Sequence, residues 1–417
     1  MSILTFLGVN QSPQGIINEN SFNEQSNNDV LMEYIDNENF YFSEEESEEH
    51  LNIFDRNFIK LPKVSDEMIQ YKSTKKQFRK KEKVNTIVIP LEQNFQQHYP
   101  WQKGYNLSSK YNGIIKLHYE ILEFYKFITL TEQERKIRED IINFICSLVI
   151  SYNASWKVEE HGSFLYRICL PISEIDLLLI PPSSPKELVH PLHKICENLI
   201  KSNEFSYVTV IPLKMPFILL SHKQTNIKFK LSYSFPHFKE ANQIIISILE
   251  SYPYMKPILI LLKYILYQKQ LNVVQKGGIN SYILFHMLYF YIQYLQKMQT
   301  NNDDNSLNLG ELFIGFLEFY GFNFNHNKLG ISLNYGGYIY DKEEKQNLTH
   351  KNNLLSIENF QDPSKDLGQN CHCYKKILDC FRQIRDSLLF PCESHFISYL
   401  GFFIYEDNCI KNRDVNV

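Results

Sequence analysis

Up to about residue 85, apolar side chains come singly among Asn, Ser and Glu, with no helical or strand period. Such a segment buries too little surface to offset its ordering entropy, so residues 1–85 are expected to form a disordered tail. Apolar content returns at Thr86-Ile87-Val88-Ile89-Pro90 and at the Pro100-Trp101 pair. Ile114, Ile115, Leu117, Ile121, Leu122 and Tyr125 then fall at helical spacing and predict an amphipathic helix over 112–127. Thr131 followed by Glu134 is a capping-box signature that opens a helix running to Ile150.

After that helix the period changes. Lys157-Val158 reads as a short strand, and Ile175-Asp176-Leu177-Leu178-Leu179-Ile180 reads as a buried one, ended by the loop Pro181-Pro182-Ser183-Ser184-Pro185. A helix over 186–201 follows, then strands near 207–213, 217–221 and 227–234. From 237 onward the pattern is mostly helical, over 238–250, 254–270, 279–297, 309–320 and 374–389. The order predicts an α+β fold with a small mixed sheet domain at 131–235 and a helical domain at 236–405. Residues 86–130 form an entry segment and helix joining the helical domain, and 406–417 a C-terminal tail.

Composition changes this picture little. A chain of 417 residues suggests roughly two to three domains. Hydrophobic residues at 44% and aromatic residues at 14% suffice for a large core. A net charge of −4 announces no global nucleic-acid binder, so any such surface must be a local patch. The 8 cysteines lack paired spacing, which suits reduced thiols better than a disulfide framework. The start, MSILTFLGVNQSPQG, has no basic lead and predicts no signal peptide. Ile279 to Gln296 carries no formal charge, yet Asn280, Ser281, His286, Gln293 and Gln296 are costly in hydrocarbon, so a buried core helix is expected and no membrane span. The basic run Lys72, Lys75, Lys76, Arg79, Lys80, Lys81 and Lys83 reads either as a nuclear import signal or RNA contact, or as solvated linker charge. The first reading places the protein in the nucleus and the second leaves it cytoplasmic.

The chemistry concentrates at His161-Gly162-Ser163-Phe164 and at Glu174-Ile175-Asp176. Gly-Ser at a helix start offers unhindered backbone N–H groups and a hydroxyl to a phosphate. Acids at i and i+2 of one strand point to the same face, where together they can hold divalent metals against a nucleoside triphosphate. The bland alternatives are a helix cap for Ser163 and plain core positions.

Gly162-Ser163-Phe164 through Leu170-Pro171-Ile172-Ser173-Glu174-Ile175-Asp176 resembles the nucleotidyltransferase signature of the DNA polymerase β-like superfamily. Further segments in order narrow the resemblance to the noncanonical poly(A) polymerases, and within them to polymerase subunits of TRAMP-type RNA-surveillance complexes. These are Leu117-His118-Tyr119-Glu120-Ile121, then Pro257 to Lys263, and Gly277-Gly278-Ile279-Asn280-Ser281-Tyr282. Asn308-Leu309-Gly310-Glu311-Leu312 through Asn325, Leu355-Ser356-Ile357-Glu358 and Asp366-Leu367-Gly368 follow. The resemblance implies a palm domain plus a PAP-associated central domain, RNA and ATP as substrates, and Mg²⁺ or Mn²⁺ as cofactor. It implies nucleotide contacts from Gly162, Ser163, Lys263, Ser281 and Tyr282, with Tyr282 stacking on the base and Glu358 helping to choose adenine. It also implies a zinc-knuckle protein and a helicase as partners.

The pattern breaks at the acids. The family's carboxylate pair is Glu174 and Asp176 here, and its third carboxylate, expected within Ile227-Lys228-Phe229-Lys230-Leu231-Ser232-Tyr233, is replaced by Lys230. No Asp or Glu occurs from Phe205 to Lys239. At 4 Å and an effective dielectric near 20, a unit-charge pair is worth about 4 kcal/mol, so a lysine there opposes a divalent ion. It also cannot serve as the base for an attacking 3′-hydroxyl. Tyr166-Arg167 stands where the family has a small polar residue and Gly, Asn359 where it has Asp, and Gln369 where it has Arg. Three readings stand: an inactive or impaired scaffold or regulatory subunit in RNA processing, an active adenylyl- or uridylyltransferase working with Glu174 and Asp176, or a metal-independent nucleotide sensor. Cys371-His372-Cys373, Cys380, Cys392 and His395 match no common structural-zinc spacing, and burial of Cys380 on a helix is the expected account.

Overall fold

The computed structural model describes residues 99–102, 113–182, 189–213, 215–235, 237–298, 308–345, 353–389 and 398–414. The N-terminal tail with its basic run, the Thr86–Pro90 segment, and Cys392 with His395 lie outside the described residues. The chain divides into two compact units. The larger holds the described residues of 129–302 and 325–374, so the helices from Phe238 to Met298 belong with the sheet that precedes them. The smaller holds those of 99–128, 308–324 and 375–414.

In the larger unit, strands β1 (Lys157–His161), β2 (Ile175–Ile180), β3 (Phe205–Ile211), β4 (Phe217–His222) and β5 (Lys228–Tyr233) form one mixed sheet in the order β1-β2-β5-β4-β3. β2 and β5 run parallel and the other neighbours antiparallel. Strand alternation sorts the two faces. Ile175, Leu177 and Leu179 of β2, Phe229, Leu231 and Tyr233 of β5, and Ile218 and Leu220 of β4 are buried in one core. Ile141, Ile145 and Val149 of the helix Glu132–Tyr152, and Leu192, Ile195 and Leu199 of the helix Val189–Lys201, fill the same core. The intervening positions put His161, Asp176, Lys230 and Leu219 in one row, because His161 pairs with Asp176, Asp176 with Lys230, and Lys230 with Leu219. The helix Glu132–Tyr152 opens with the expected capping box: Glu134 N–H donates to Thr131 Oγ1 (3.2 Å) and Thr131 N–H to Glu134 Oε2 (2.8 Å).

The mostly helical expectation beyond 237 holds at Phe238–Ser251, Met255–Gln268, Ser281–Met298, Leu309–Glu318 and Tyr374–Leu389, and needs correction between Leu329 and Glu358. A second sheet, β6 (Leu329–Ser332), β7 (Tyr338–Asp341) and β8 (Ile357–Glu358), occupies that region in the order β7-β6-β8. Its strands are two to four residues long, too short to impose a visible period on the sequence. Asp366 closes the loop after β8: its carboxylate accepts from the N–H groups of Ile357 (2.9 Å) and Gly368 (2.8 Å) and from Ser356 Oγ (2.8 Å). A Cβ on Gly368 would come within 2.2 Å of the Leu355 carbonyl oxygen, so only glycine fits there.

In the smaller unit the helices Gly113–Ile128 and Leu309–Glu318 pack together, and Leu309 N–H donates to His118 Nδ1 (3.0 Å). The carboxylate of Glu120, 3% exposed, gathers the chain ends of this unit. It accepts from Trp101 Nε1 (3.0 Å), from Tyr399 N–H (2.7 Å) and from the Ser398 hydroxyl. Burial raises its pKa, and those hydrogen bonds oppose the shift. Among the described residues no single helix is long and apolar enough to cross a membrane; Phe238–Ser251 with Met255–Gln268 reaches that apolarity only as a pair bent by 109°.

Candidate active site

β1 ends at His161 and the chain turns at once into the one-turn helix Gly162–Leu165, which brings Gly162 over Asp176. Gly162 sits at φ +67°, and a Cβ there would lie 3.1 Å from Asp176 Oδ2. Glycine is needed both for that backbone conformation and for close approach to the carboxylate. The turn Leu170–Ser173 then leads into β2: Ser173 N–H donates to the Leu170 carbonyl (2.9 Å) and Leu170 N–H to Ser173 Oγ (3.1 Å). Buried Arg138 donates to the Pro171 carbonyl (2.9 Å) and fixes this turn to the preceding helix.

A pocket of about 620 Å³, counting its open mouth, lies within the larger unit at this turn. Of the residues singled out in the sequence, Gly162, Ser163, Asp176, Ser281 and Tyr282 line it together. His161, Tyr166, Ile168, Ile245, Asn280 and Phe285 complete the lining. Tyr282 is half-buried; its hydroxyl donates to Asn359 Oδ1 (3.3 Å) and its ring meets His286 edge-on at 4.3 Å. His286 is fully buried, with Nδ1 2.8 Å from the Tyr282 carbonyl oxygen, and burial pushes its pKa down to about 4. On the opposite wall, Tyr166 OH donates to Asn242 Oδ1 (2.6 Å), and His161 Nδ1 lies 2.9 Å from the same oxygen.

Four of the expected site residues lie elsewhere. Glu174 immediately precedes β2; it is exposed and does not line the pocket. Lys263 does not line the pocket: it is 7% exposed and its ammonium donates to the Ile168 carbonyl. Burial pushes its pKa down to about 8, with Cys169 and Asp176 pulling it back up. Glu358 is 2% exposed and engaged by Ser332, Asn334, Tyr338 and Lys345, so it presents no free edge to a base. Its neighbour Asn359 is the residue that reaches the pocket, through Tyr282. Lys230 stands opposite Asp176 across β2 and β5, its ammonium 5.2 Å from the Phe217 ring centroid, outside the pocket lining. Sequence reasoning missed Asn242, Asn280 and Phe285 as site residues. Asn242 interrupts the apolar face of the helix Phe238–Ser251 and was visible only as that interruption.

Comparison with known proteins agrees with this geometry. Residues 117–237 match the family described as "Poly(A) RNA polymerase, mitochondrial-like, central palm domain", and residues 308–365 match "Cid1 family poly A polymerase". The chain is 28% identical over 278 residues to the poly(A) RNA polymerase CID14 of Cryptococcus neoformans, covering 66% of this chain and 36% of that protein. It therefore spans little more than a third of that relative's length. The polymerase core of TRAMP, an RNA surveillance complex, superposes with a TM-score of 0.66 at 22% identity, covering 76% of this chain and 99% of that one. The chain is similar to the noncanonical poly(A) polymerases over both matched segments. A further relative, the inactive noncanonical poly(A) RNA polymerase protein Trf4-2 of Drosophila melanogaster, is 26% identical over 261 residues, 61% of this chain and 64% of that one.

A noncanonical poly(A) polymerase by this resemblance would hold divalent cations on a carboxylate cluster, and the donor set here does not fit them. Asp176 is the carboxylate at the pocket, Glu174 is exposed ahead of the strand, and the third position carries an ammonium. Among the described residues no three His, Cys, Asp or Glu side chains come together as metal ligands, Cys371, Cys373 and Cys380 included. The Cys371-His372-Cys373 segment serves the backbone instead: Cys373 N–H donates to the Gly277 carbonyl (2.8 Å), and burial pushes the Cys371 thiol up to about 12.

Proposed function

We propose that this noncanonical poly(A) polymerase relative has lost, or nearly lost, nucleotidyl transfer and acts as a scaffold or regulatory subunit in RNA processing. The observation that carries the reading is the register of β2 against β5, which sets Lys230 beside Asp176 at the position of the expected third carboxylate. A lysine there offers no metal ligand and no base for a 3′-hydroxyl. The exposed position of Glu174 argues against an active two-carboxylate site. A relative that is itself named inactive supports the reading, and the fold shared with the polymerase core of TRAMP supports work alongside other subunits. A zinc-knuckle protein and a helicase are the partners to seek first. Nuclear placement rests on the basic run at 72–83.

The test is extension of a short RNA with ATP or UTP and Mg²⁺ or Mn²⁺. The natural protein, Asp176→Ala and Lys230→Asp are assayed together. The expected result is no extension by the natural protein, with any gain confined to Lys230→Asp. Extension by the natural protein that disappears in Asp176→Ala would sink the proposal.

A further inference from the structure

The two edges of the five-stranded sheet are built differently. β1, at one edge, carries Lys157, Glu159 and Glu160 within its five residues. Charges of this kind guard an edge, because a strand laid against it would have to desolvate them. β3, at the other edge, has no such guard: residues 205–213 contain no Lys, Arg, Asp, Glu or His. Among the described residues β3 has a strand on one side only, β4. Alternate residues of such a strand turn both N–H and C=O outward, away from the sheet. The register shift between Phe205 and Tyr207 leaves 207–211 as the regular stretch. Val208 and Val210 pack against the core, which puts Tyr207, Thr209 and Ile211 on the opposite face. Apolar surface is uncovered along this edge: Tyr207 is 52% exposed, Ile200 before the strand 57% and Leu213 after it 45%.

We propose that a second copy of this chain covers this edge, its β3 running antiparallel to the first about a two-fold axis at Thr209. In that register the strand is complementary to itself. Tyr207 of one copy meets Ile211 of the other, Val208 meets Val210, and Thr209 meets its own counterpart. Aromatic with β-branched, and Thr with Thr, are favourable cross-strand neighbours. The charges agree. Glu204 and Lys214 bracket the uncharged run, each five positions from Thr209 in the sequence. Antiparallel association brings these opposite charges together at both ends, whereas parallel association sets like against like. The two-fold pairing uses the outward edge of both copies at once, so assembly closes at a dimer and the two sheets become one. Three strand spacings, about 14 Å, separate β3 from β2, so the pocket at Asp176 stays open in the dimer. The inference therefore stands apart from whether that pocket supports nucleotidyl transfer.

Sedimentation velocity of the full chain across a concentration series tests it. The natural protein is expected to approach twice the 49.5 kDa of one chain as concentration rises. Thr209→Lys sets two ammonium groups against each other on the axis and should weaken association about a hundredfold. Thr209→Glu should do the same with two carboxylates. Thr209 is partly exposed on the open face, so water can solvate either charge in the monomer. Mixing the two variants opposes unlike charges at the same point, and should bring association back to within about tenfold of the natural protein. Such restoration requires that both variants are folded and that Thr209 faces Thr209. A natural protein that stays monomeric at every concentration overturns the inference. So does a dimer that Thr209→Lys leaves intact, because its contact then lies elsewhere. A mixture of the two variants that stays monomeric overturns it as well.

Discussion

The two sheets of the larger unit each set a lysine near an acid, in very different surroundings. At β8, Glu358 is 2% exposed and held by Lys345, by Ser332 Oγ (3.0 Å), by Asn334 Nδ2 (2.8 Å) and by Tyr338 OH (3.1 Å). At β2, Asp176 is half-buried beside an open pocket, and Lys230 is its register partner on the neighbouring strand, with its ammonium near the Phe217 ring. Burial lowers the pKa of Lys345, but the Glu358 carboxylate outweighs it and the net shift is upward. A charge enclosed on every side is a structural part, because nothing else is available to satisfy it. A charge at a pocket wall leaves the fold nearly indifferent and changes what the pocket accepts.

The largest expected effect is on the enclosed pair. Lys345→Met removes the cation while Glu358 stays buried, and should cost about 3 kcal/mol, the lower end of the range for breaking a buried pair, because three neutral donors remain. Urea unfolding measures it. A cost under about 1 kcal/mol would show that the hydrogen bonds alone hold Glu358, and the contrast between the sheets would collapse.

His286 asks whether the inner wall of the pocket is as dry as the surroundings of Glu358. Its pKa is held at about 4 in the folded chain, against 6.5 for an exposed histidine. Below pH 6.5 the unfolded chain therefore takes up a proton that the folded chain refuses, and stability falls as pH drops from 6.5 towards 4. Between pH 7 and pH 5 this group should remove about 2 kcal/mol, and that part of the loss should vanish in His286→Gln. The comparison is made on the difference between the two proteins at each pH, because Asp366, pushed up to about 6 by burial, contributes with the opposite sign in both. Equal pH profiles would mean that water reaches His286.

Tyr282 joins the two regions, since its hydroxyl donates to Asn359, the residue after Glu358. Tyr282→Phe should cost about 1 kcal/mol in the same unfolding experiment, the worth of one ordinary hydrogen bond. A larger loss would indicate that the Asn359 segment depends on the pocket wall for its position.

Which parts of this molecule could be read in advance follows from the length scale of each signal. The five-stranded sheet and the helices up to Met298 were legible because strands of five to seven residues and helices of 13 to 21 carry a full period. The pairing of Lys230 with Asp176 was also within reach, because residues in parallel neighbours come into register once both strands are placed. The second sheet was not legible. Leu329–Ser332 and Ile357–Glu358 are held by the network around Glu358, which links residues up to 26 positions apart. Motif spacing placed Glu358, Lys263 and Glu174 in the site; the first two are buried and the third is exposed, and none of them lines the pocket. Spacing reports which residues are near a site; it does not report which way a side chain is turned.

The smallest expected effect is the one that separates the two regions most sharply. Lys230→Met leaves Asp176 at the mouth of an open pocket, where water can solvate it, so the stability change should be under about 1 kcal/mol in either direction. The methionine keeps the apolar stem against Phe217, which limits the loss of packing. Such a result, set beside a cost several times larger for Lys345→Met, would show that Lys230 is dispensable to the fold and acts on the site alone. A cost near that of Lys345→Met would instead make Lys230 a structural partner of Asp176. Restoring a carboxylate at that position would then unsettle the sheet before it could restore any chemistry.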